Sequence, residues 1–245
     1  MASFVQRDRR PLSLARQTAL VVGLGPLSGV SAARALARAG ARVIVNDARD
    51  PDSLTDQVKA LRADEFAHAY DFVLGSHPVE LAERVDLVVI SPGVPYDAPL
   101  LTAARARGVT TIGELELAYR LGRSRVIAVT GTKGKSTTTT LIGAILEASL
   151  GQDHVAVGGN IGLPLTEITP GLAPDDWVVA EVSSFQLESI VDFRPDVAVV
   201  LNISPDHLDR HGSMMAYVAA KKRIVENQTA NDLLVVNDDD PATAE

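Results

Sequence analysis

Short apolar runs alternate with helical stretches along most of the chain, and this alternation constrains the fold more than any other feature of the sequence. Apolar runs bounded by glycine or polar turns are typical of buried strands in parallel sheets. Repeated strand–helix units predict an α/β fold with a parallel sheet. The runs predicted as strands are Thr18–Val22, Arg42–Asn46, Asp86–Ile90, Val109–Ile112, Val126–Thr130, Trp177–Glu181, Val197–Ile203 and Leu233–Asn237.

The stretches between these runs predict the helices and indicate where one domain ends. Residues from about 50 to 80 are polar and favour neither helix nor strand. Gly122-Arg123-Ser124 interrupts the pattern, so we expect one domain at 1–124 and a second at 125–245. A domain of this class that begins at 125 needs more strands than follow, so we expect it to be incomplete. Helices are predicted over Val30–Ala39, Ala98–Arg107, Glu114–Leu121, Lys135–Ser149 and Ser213–Asn227.

Composition and charge exclude several classes of protein. The chain has 245 residues, of which 46% are hydrophobic and 22% charged, so it has enough apolar material for a sizeable core. Its net charge of -8 and pI of about 5.1 argue against general nucleic-acid binding, which requires a basic surface. The absence of cysteine excludes disulfide scaffolds, zinc ribbons and cysteine nucleophiles.

The sequence gives no indication of a membrane segment. No apolar run approaches the roughly 18–20 residues that span a bilayer. Arg9-Arg10, followed by the apolar Ala19–Leu24, is similar to a twin-arginine export signal, but the apolar stretch is short and ends in glycines. We interpret the first residues as a basic tail before the first strand, and we expect a cytoplasmic protein.

The strongest chemical signal is Thr130-Gly131-Thr132-Lys133-Gly134-Lys135-Ser136-Thr137, between an apolar strand and a helix. This is the context that a phosphate-binding loop requires, because glycines let backbone N–H groups converge on phosphate oxygens at the positive end of a helix dipole. Lys135 is placed to reach the β- and γ-phosphates, and the Ser136 hydroxyl to bind Mg²⁺. The loop is shorter than the general pattern, and the alternative is a glycine-rich turn with a chance Gly-Lys-Ser.

Two further polar residues follow predicted strands at the same sheet edge. Glu181 ends an apolar strand, and strand ends in parallel sheets point into the ligand crevice, so Glu181 is a candidate Mg²⁺ ligand. His207 lies in Ser204–Gly212, which follows another buried strand. Taken alone, each residue has a plainer interpretation: a surface glutamate, and a capping turn made by an Asp-His pair.

The first half of the chain contains a second glycine turn, Gly23–Gly29, and Asp47 follows the next strand. This arrangement invites comparison with the dinucleotide-binding fingerprint. It departs from that fingerprint because the third glycine is one position late and Pro26 removes a loop N–H. We therefore expect a nucleotide-like ligand at this turn rather than NAD.

Taken together, these motifs resemble the Mur ligases of peptidoglycan synthesis. The resemblance extends from about residue 18 to the end of the chain, with the motifs in family order. Ser183–Leu187 favours the family member that adds D-glutamate. The matching segments are Gly23-Leu24-Gly25, Asp47-Ala48-Arg49, Ser91-Pro92-Gly93, Gly131–Thr137, Gly159-Asn160-Ile161-Gly162, Glu181–Leu187, Asp206–Arg210 and Ala219-Ala220-Lys221.

The resemblance implies three domains and an acyl-activating reaction. A Rossmann-like first domain would hold the uridine nucleotide of UDP-N-acetylmuramoyl-L-alanine, and the second would be an ATPase domain. A third domain, which we expect to be missing here, would bring D-glutamate. The γ-phosphate of ATP would pass to the substrate carboxylate, and the amine of D-glutamate would attack the acyl phosphate. We expect a monomer, and we expect these 245 residues alone to be inactive as a ligase.

The resemblance also implies roles for individual residues. Lys135, His207 and Lys221 would be catalytic, and CO₂ would carbamylate Lys221. Two Mg²⁺ ions would be held with the help of Ser136, Glu181, His207 and the modified Lys221. ATP would bind Gly131, Thr132, Lys133, Gly134, Lys135, Ser136 and Thr137. The substrate would bind Leu27, Ser28, Asp47, Ala48, Arg49, Gly93, Asn160, Ser183, Gln186 and His207.

Three alternatives stay open at this point. One is a Mur-type ligase that adds L-alanine, a diamino acid or a dipeptide. Another is a non-catalytic fragment that binds a UDP-sugar or ATP without turnover. The third concerns the modified lysine: Lys222 is the neighbour of Lys221, but it lies about 100° further around the helix and would not present the same geometry.

Overall fold

The computed structural model describes Leu12 and residues 14–244, and these form two compact units, Leu12–Leu121 and 122–244. The Arg9-Arg10 segment lies outside the described residues. Each unit contains one five-stranded parallel sheet with helices packed on it, so the predicted α/β class is confirmed for both. Among the described residues, no helix is both long and apolar enough to cross a membrane.

The first unit is built around β1, which lies at the centre of its sheet. The strand order is β3-β2-β1-β4-β5, with all neighbours parallel. Alternate residues of β1 face two separate hydrophobic clusters, Ala19 and Val21 on one side and Leu20 and Val22 on the other, so both sheet faces are buried. The strands are β1 (Thr18–Val22), β2 (Arg42–Asp47), β3 (Tyr70–Leu74), β4 (Leu87–Ile90) and β5 (Thr110–Gly113).

Four helices complete the first unit, and the first of them packs very closely on the glycine turn. Gly29 lies in this helix, and a Cβ atom placed on it would come 2.4 Å from the carbonyl oxygen of Gly23 and 2.8 Å from Cα of Leu24. The late third glycine therefore permits close contact between this helix and the backbone of the glycine turn. The helices are α1 (Ser28–Arg38), α2 (Thr55–Arg62), α3 (Pro99–Ala106) and α4 (Glu114–Leu121).

The second unit also begins on its central strand. The order is β10-β9-β6-β8-β7, again with all neighbours parallel. Because β6 is central, the phosphate loop that follows it lies between the ends of β8 and β9. β10 is an edge strand whose four side chains are exposed. The strands are β6 (Arg125–Thr130), β7 (Val155–Gly159), β8 (Trp177–Glu181), β9 (Val197–Val200) and β10 (Leu233–Val236).

Helices flank the second sheet, and the longest starts directly at the phosphate loop. Ile142 and Leu146 of this helix pack on a core that includes Ile127, Val129 and Val179. The helices are α5 (Lys135–Leu150), α6 (Leu165–Ile168), α7 (Ser184–Leu187), α8 (Leu208–His211), α9 (Met214–Lys222) and α10 (Pro241–Ala244).

The predicted elements differ from the structure at several places. The predicted strand Val197–Ile203 ends at Val200, and the predicted helix Ser213–Asn227 ends at Lys222, followed by a 3-10 turn. Sequence reasoning missed β3 and β7. In each, the apolar run is only three residues long: Asp71 interrupts β3, and two glycines end β7.

Candidate nucleotide-binding sites

The phosphate loop between β6 and α5 has the backbone shape that its glycines allow. Gly134 caps the start of α5 with φ of 82°, in the left-handed region that disfavours side chains. Gly131 has φ of 150°, and a Cβ atom there would come 3.1 Å from Cβ of Leu201. The first backbone N–H groups of α5 have no acceptor within the helix, so the loop ends in a set of donors suited to an anion.

The side chain of Lys135 folds back over this loop. Its Nζ donates to the carbonyl oxygens of Gly131, at 3.0 Å, and Thr132, at 2.9 Å. Because both acceptors are neutral carbonyls, the amine can exchange these contacts for contacts to phosphate oxygens. The amine of Lys135, the predicted phosphate-binding lysine, therefore lies at the loop itself.

Glu181 lies at the end of β8, only 2% exposed, and gathers two of the predicted site residues. Ser136 Oγ donates to one carboxylate oxygen at 2.7 Å, and Asn160 Nδ2 donates to the other at 2.7 Å. Gly159 makes this approach possible: its φ is 106°, and a Cβ atom there would lie 2.5 Å from the carbonyl oxygen of Glu181.

This oxygen set suits the cation that the family implies. Mg²⁺ prefers oxygen ligands, takes few protein carboxylates and fills its other positions with water and phosphate. A buried carboxylate beside a hydroxyl at a phosphate loop meets these needs, so Glu181 and Ser136 fit Mg²⁺. Among the described residues, no group of three or more His, Asp or Glu side chains could hold a metal by itself.

Lys221 is the second lysine at this loop, and it is 2% exposed. Its Nζ donates to the carbonyl oxygen of Gly131 at 2.9 Å and lies 4.8 Å from the centre of the Tyr217 ring. Burial lowers the pKa of Lys221 to about 8, and the positive charge of Lys135 also lowers it. Lys222, one residue on, is exposed. The geometry therefore distinguishes the two lysines in the direction that the sequence predicts.

His207, in the loop before α8, has a half-exposed imidazole. Its backbone has φ of 50°, which is uncommon for a residue with a side chain. The ring lies 4.9 Å from the ring of Phe185, and its Nε2 lies 3.6 Å from a carboxylate oxygen of Asp206. No contact described for His207 joins it to Glu181 or Lys221, so its predicted metal role stays a prediction.

Ser183 and Gln186 occupy the start of α7, and they bind each other. Ser183 Oγ accepts from the Gln186 backbone N–H at 3.3 Å, and Gln186 Oε1 accepts from the Ser183 backbone N–H at 3.0 Å. This reciprocal capping box satisfies two donors that the start of a helix would otherwise leave open. The two predicted substrate residues thus have a structural task, and their predicted contact with substrate remains untested.

Three site residues were missed by sequence reasoning. Tyr217 is buried, and its hydroxyl lies 3.1 Å from Thr132 Oγ1. The imidazole of His211 lies 3.0 Å from Ser184 Oγ and stacks on Phe185. Asn202 binds the backbone of Lys133. Only Tyr217 had a usable signal, because it lies four residues before Lys221 and so on the same helix face.

The predicted site in the first unit is organised by Asp47. One carboxylate oxygen accepts from the Leu24 backbone N–H at 2.7 Å, which pins the glycine turn to the end of β2. The Arg49 guanidinium donates to both carboxylate oxygens, at 3.0 and 2.8 Å, and to the carbonyl oxygen of Leu24 at 2.9 Å. Burial alone would raise the pKa of Asp47, but the hydrogen bonds from Arg49 and Leu24 outweigh it and lower the pKa to about 2.

The other residues predicted around this turn differ in their exposure and in their contacts. Leu27 is 58% exposed just before α1, and Ser28 Oγ faces Gly25. Ala48 and Gly93 are exposed. Ser91, in the same loop as Gly93, donates its hydroxyl to the carbonyl oxygen of Gly23 at 2.6 Å. The loop after β4 is thereby attached to the glycine turn.

Comparison with known proteins agrees with the two-unit organisation. Residues 17–113 match the Mur ligase MurD-like N-terminal domain, and residues 129–245 match the Mur ligase middle domain. UDP-N-acetylmuramoylalanine--D-glutamate ligase of Acidobacterium capsulatum is 48% identical over 95% of this chain. The enzyme of the same name from Pelotomaculum thermopropionicum is 49% identical over 94% of the chain. The chain spans about half the length of these relatives, 49% in both cases.

A solved structure supports the fold. The chain is similar to UDP-N-acetylmuramate:L-alanyl-gamma-D-glutamyl-meso-diaminopimelate ligase from Neisseria meningitides, with a TM-score of 0.61 and 20% identity, over 93% of this chain and 73% of that one. At this identity the likeness concerns the fold alone. Together with the matched domains and the relatives, the geometry of the two loops leads to one conclusion: this chain belongs to the Mur ligase family and carries its N-terminal and middle domains.

Proposed function

We propose that this chain is the nucleotide-binding part of an ATP-dependent ligase that adds D-glutamate to UDP-N-acetylmuramoyl-L-alanine in peptidoglycan biosynthesis. The observation that carries the proposal is the cluster of Lys135, Glu181 and Lys221 around one phosphate loop. The chain's identity of 45–49% to relatives with that name supports the choice of D-glutamate. The activity, both substrates and all residue roles below belong to this proposal.

The first task of such an enzyme is to bring two anions together. A carboxylate and a triphosphate repel each other, so the site must offset their charge before phosphoryl transfer. In this proposal Lys135 leaves the carbonyls of Gly131 and Thr132 and binds the β- and γ-phosphates. The start of α5 donates its free N–H groups, and residues 131–137 together form the ATP site.

Mg²⁺, when bound, would supply positive charge at the phosphate oxygens and the substrate carboxylate. Glu181 and Ser136 would hold one ion, and His207 and Lys221 would serve a second. We propose that CO₂ carbamylates Lys221, which converts a cation into an anion. Burial favours the neutral amine that this reaction requires, since the pKa of Lys221 is lowered to about 8.

The first unit would bind the uridine end of the substrate. Asp47 and Arg49 present a carboxylate and a guanidinium beside the glycine turn, with Leu27, Ser28, Ala48 and Gly93 around them. Asn160, Ser183, Gln186 and His207 would contact the substrate in the second unit. We place the domain boundary between 124 and 125, and we propose a cytoplasmic monomer in which a further domain brings D-glutamate.

Two measurements test this function. Calorimetry on the 245-residue chain should give binding of UDP-N-acetylmuramoyl-L-alanine and, separately, of Mg·ATP. The longer protein should then release phosphate from ATP in the presence of UDP-N-acetylmuramoyl-L-alanine and D-glutamate, and not with L-alanine or a diamino acid in place of D-glutamate. Turnover with another amino acid would mean that this amino acid, and not D-glutamate, is the substrate. Binding of both nucleotides without turnover would mean that the protein is a non-catalytic binder.

A further inference from the structure

We propose that Asn202 is a positioning residue that holds the phosphate loop in its anion-binding shape. This proposal deepens the proposed function and rests on it. Asn202 lies two residues beyond the end of β9. Its Oδ1 accepts from the Lys133 backbone N–H at 2.9 Å, and its Nδ2 donates to the Lys133 carbonyl oxygen at 3.0 Å. Both polar atoms of one amide thus bind one residue of the loop.

The amide extends a row of backbone hydrogen bonds that begins in the sheet. β6 and β9 pair up to Thr130 and Val200. Beyond the strands, the Leu201 N–H donates to the Thr130 carbonyl at 3.0 Å, and the Thr132 N–H donates to the Asn202 carbonyl at 2.9 Å. The side chain of Asn202 then takes the place of a further peptide group. The loop is therefore attached to the sheet over several consecutive residues.

This attachment decides which donors remain for a ligand. The N–H groups of Thr132 and Lys133 are both committed to Asn202. The donors that can face an anion are consequently those at the start of α5, which the helix leaves without acceptors. Asn202 fixes the segment immediately before these donors, so it sets their direction without touching the anion.

Asparagine suits this position better than its acidic counterpart. An aspartate could accept from the Lys133 N–H but could not donate to its carbonyl, and its charge would lie beside a site that binds phosphates. The bonds go to the backbone of Lys133, so truncating the Lys133 side chain leaves them in place. The effects of Asn202 and of the Lys133 charge can therefore be measured separately.

The expected effect follows from preorganisation. When only a fraction of the loops has the competent shape, the apparent Kd rises by the inverse of that fraction. Loss of both side-chain hydrogen bonds in Asn202→Ala should weaken Mg·ATP binding about tenfold or more. This loss should depend little on salt, because no charge is removed, whereas Lys133→Ala should lose affinity in a salt-dependent way.

Asn227 offers a matched control. Its Nδ2 also donates to two backbone carbonyls, those of Val191 at 2.9 Å and Phe193 at 3.0 Å, and none of the contacts described for it involves the loop. Asn227→Ala should lower thermal stability and leave Mg·ATP affinity within about twofold of the wild type. A purely structural role for Asn202 predicts the same behaviour in Asn202→Ala.

The test combines calorimetry with amide hydrogen exchange on the 245-residue chain. In Asn202→Ala we expect weaker Mg·ATP binding, unchanged binding of UDP-N-acetylmuramoyl-L-alanine and faster exchange of the Lys133 amide.

If Asn202→Ala does not fold, Asn202→Ser and Asn202→Asp take its place, and Asn202→Asp should keep part of the protection of the Lys133 amide from exchange. Equal Mg·ATP affinity and equal Lys133 exchange in wild type and variant would overturn the proposal. A wild type that binds no Mg·ATP would count against the proposed function, while the exchange result would still decide whether Asn202 holds the loop.

Discussion

The two units hold their glycine turns in the same way, but with side chains of different charge. In each, a glycine turn follows the central strand of a parallel sheet, and a side chain at or just beyond the end of a neighbouring strand pins the turn by accepting a backbone N–H. In the first unit that side chain is Asp47, bound to the Leu24 N–H at 2.7 Å. In the second it is Asn202, bound to the Lys133 N–H at 2.9 Å.

The difference indicates which part of a nucleotide each turn can take. A carboxylate beside a turn repels phosphate and suits hydroxyl or ring N–H donors, as at the ribose end of a nucleotide. A neutral amide adds no charge, and the ammonium group of Lys135 at the second turn favours an anion. The strand–turn–helix geometry is shared, so in the proposed function the charge of the surrounding side chains would decide which part of a nucleotide each turn binds.

The largest effect is expected at Lys221, beside the second turn. In the longer protein, Lys221→Ala should lose at least about a hundredfold in turnover, because the proposed carbamate would no longer offset the metal charge. Lys222→Ala is the control, since that side chain is exposed and should keep nearly normal turnover. Steady-state phosphate release measures both variants, and acetate should restore part of the Lys221→Ala activity. Near-normal Lys221→Ala turnover, or an inactive Lys222→Ala, would show that the assignment is wrong.

The next largest effect is expected at Asp47, beside the glycine turn of the first unit. Asp47→Ala removes the acceptor of the Leu24 N–H and the partner of Arg49, so binding of UDP-N-acetylmuramoyl-L-alanine should weaken by about tenfold to a hundredfold. Calorimetry should find Mg·ATP binding unchanged, because Mg·ATP is proposed to bind at the other turn. Asp71→Ala is a matched control: Asp71 is exposed and pairs with Arg42. Equal losses for both ligands would mean that Asp47 acts on folding rather than on recognition.

A smaller effect, on stability, is expected at the last glycine of each turn, Gly29 in the first unit and Gly134 in the second. A Cβ atom on Gly29 meets rigid backbone at 2.4 Å, so Gly29→Ala should destabilise the chain by about 1–3 kcal/mol or more. Gly134→Ala meets only Leu201 Cδ1 at 3.6 Å, and its cost comes from the left-handed backbone, about 1 kcal/mol. Urea unfolding measures both, with Gly93→Ala as the control because no atom lies within 4 Å of its Cβ position. A larger loss of stability for Gly134→Ala than for Gly29→Ala would contradict this prediction.

Much of this comparison could be predicted from sequence. Thr18–Val22, Glu114–Leu121 and Trp177–Glu181 have the predicted bounds, because an apolar run or a helical repeat with polar ends leaves few choices. The proximity of Ser136 and Glu181 followed from the rule that parallel strand ends share one edge. Asn202 could not be predicted, since its partner Lys133 lies 69 positions away and an amide in a loop has many possible tasks. Strands β3 and β7 were missed because Asp71 in one and two terminal glycines in the other leave apolar runs of only three residues.

The smallest expected effect is the acid sensitivity of the first turn. The pKa of Asp47 is lowered from 3.8 to about 2 in the folded chain, so its ionised form stabilises the fold. That stabilisation is fully present above the unfolded pKa, near 3.8, and is lost as the pH falls through about 2. It should amount to about 1–2 kcal/mol, less than the full shift implies, because the Arg49 side chain is 49% exposed and its charge is screened. The stability difference between wild type and Asp47→Asn, measured by urea unfolding, should be constant from pH 7 to about 5 and shrink below pH 4. A difference that stays constant down to pH 2 would mean that the Arg49 pair does not favour ionised Asp47.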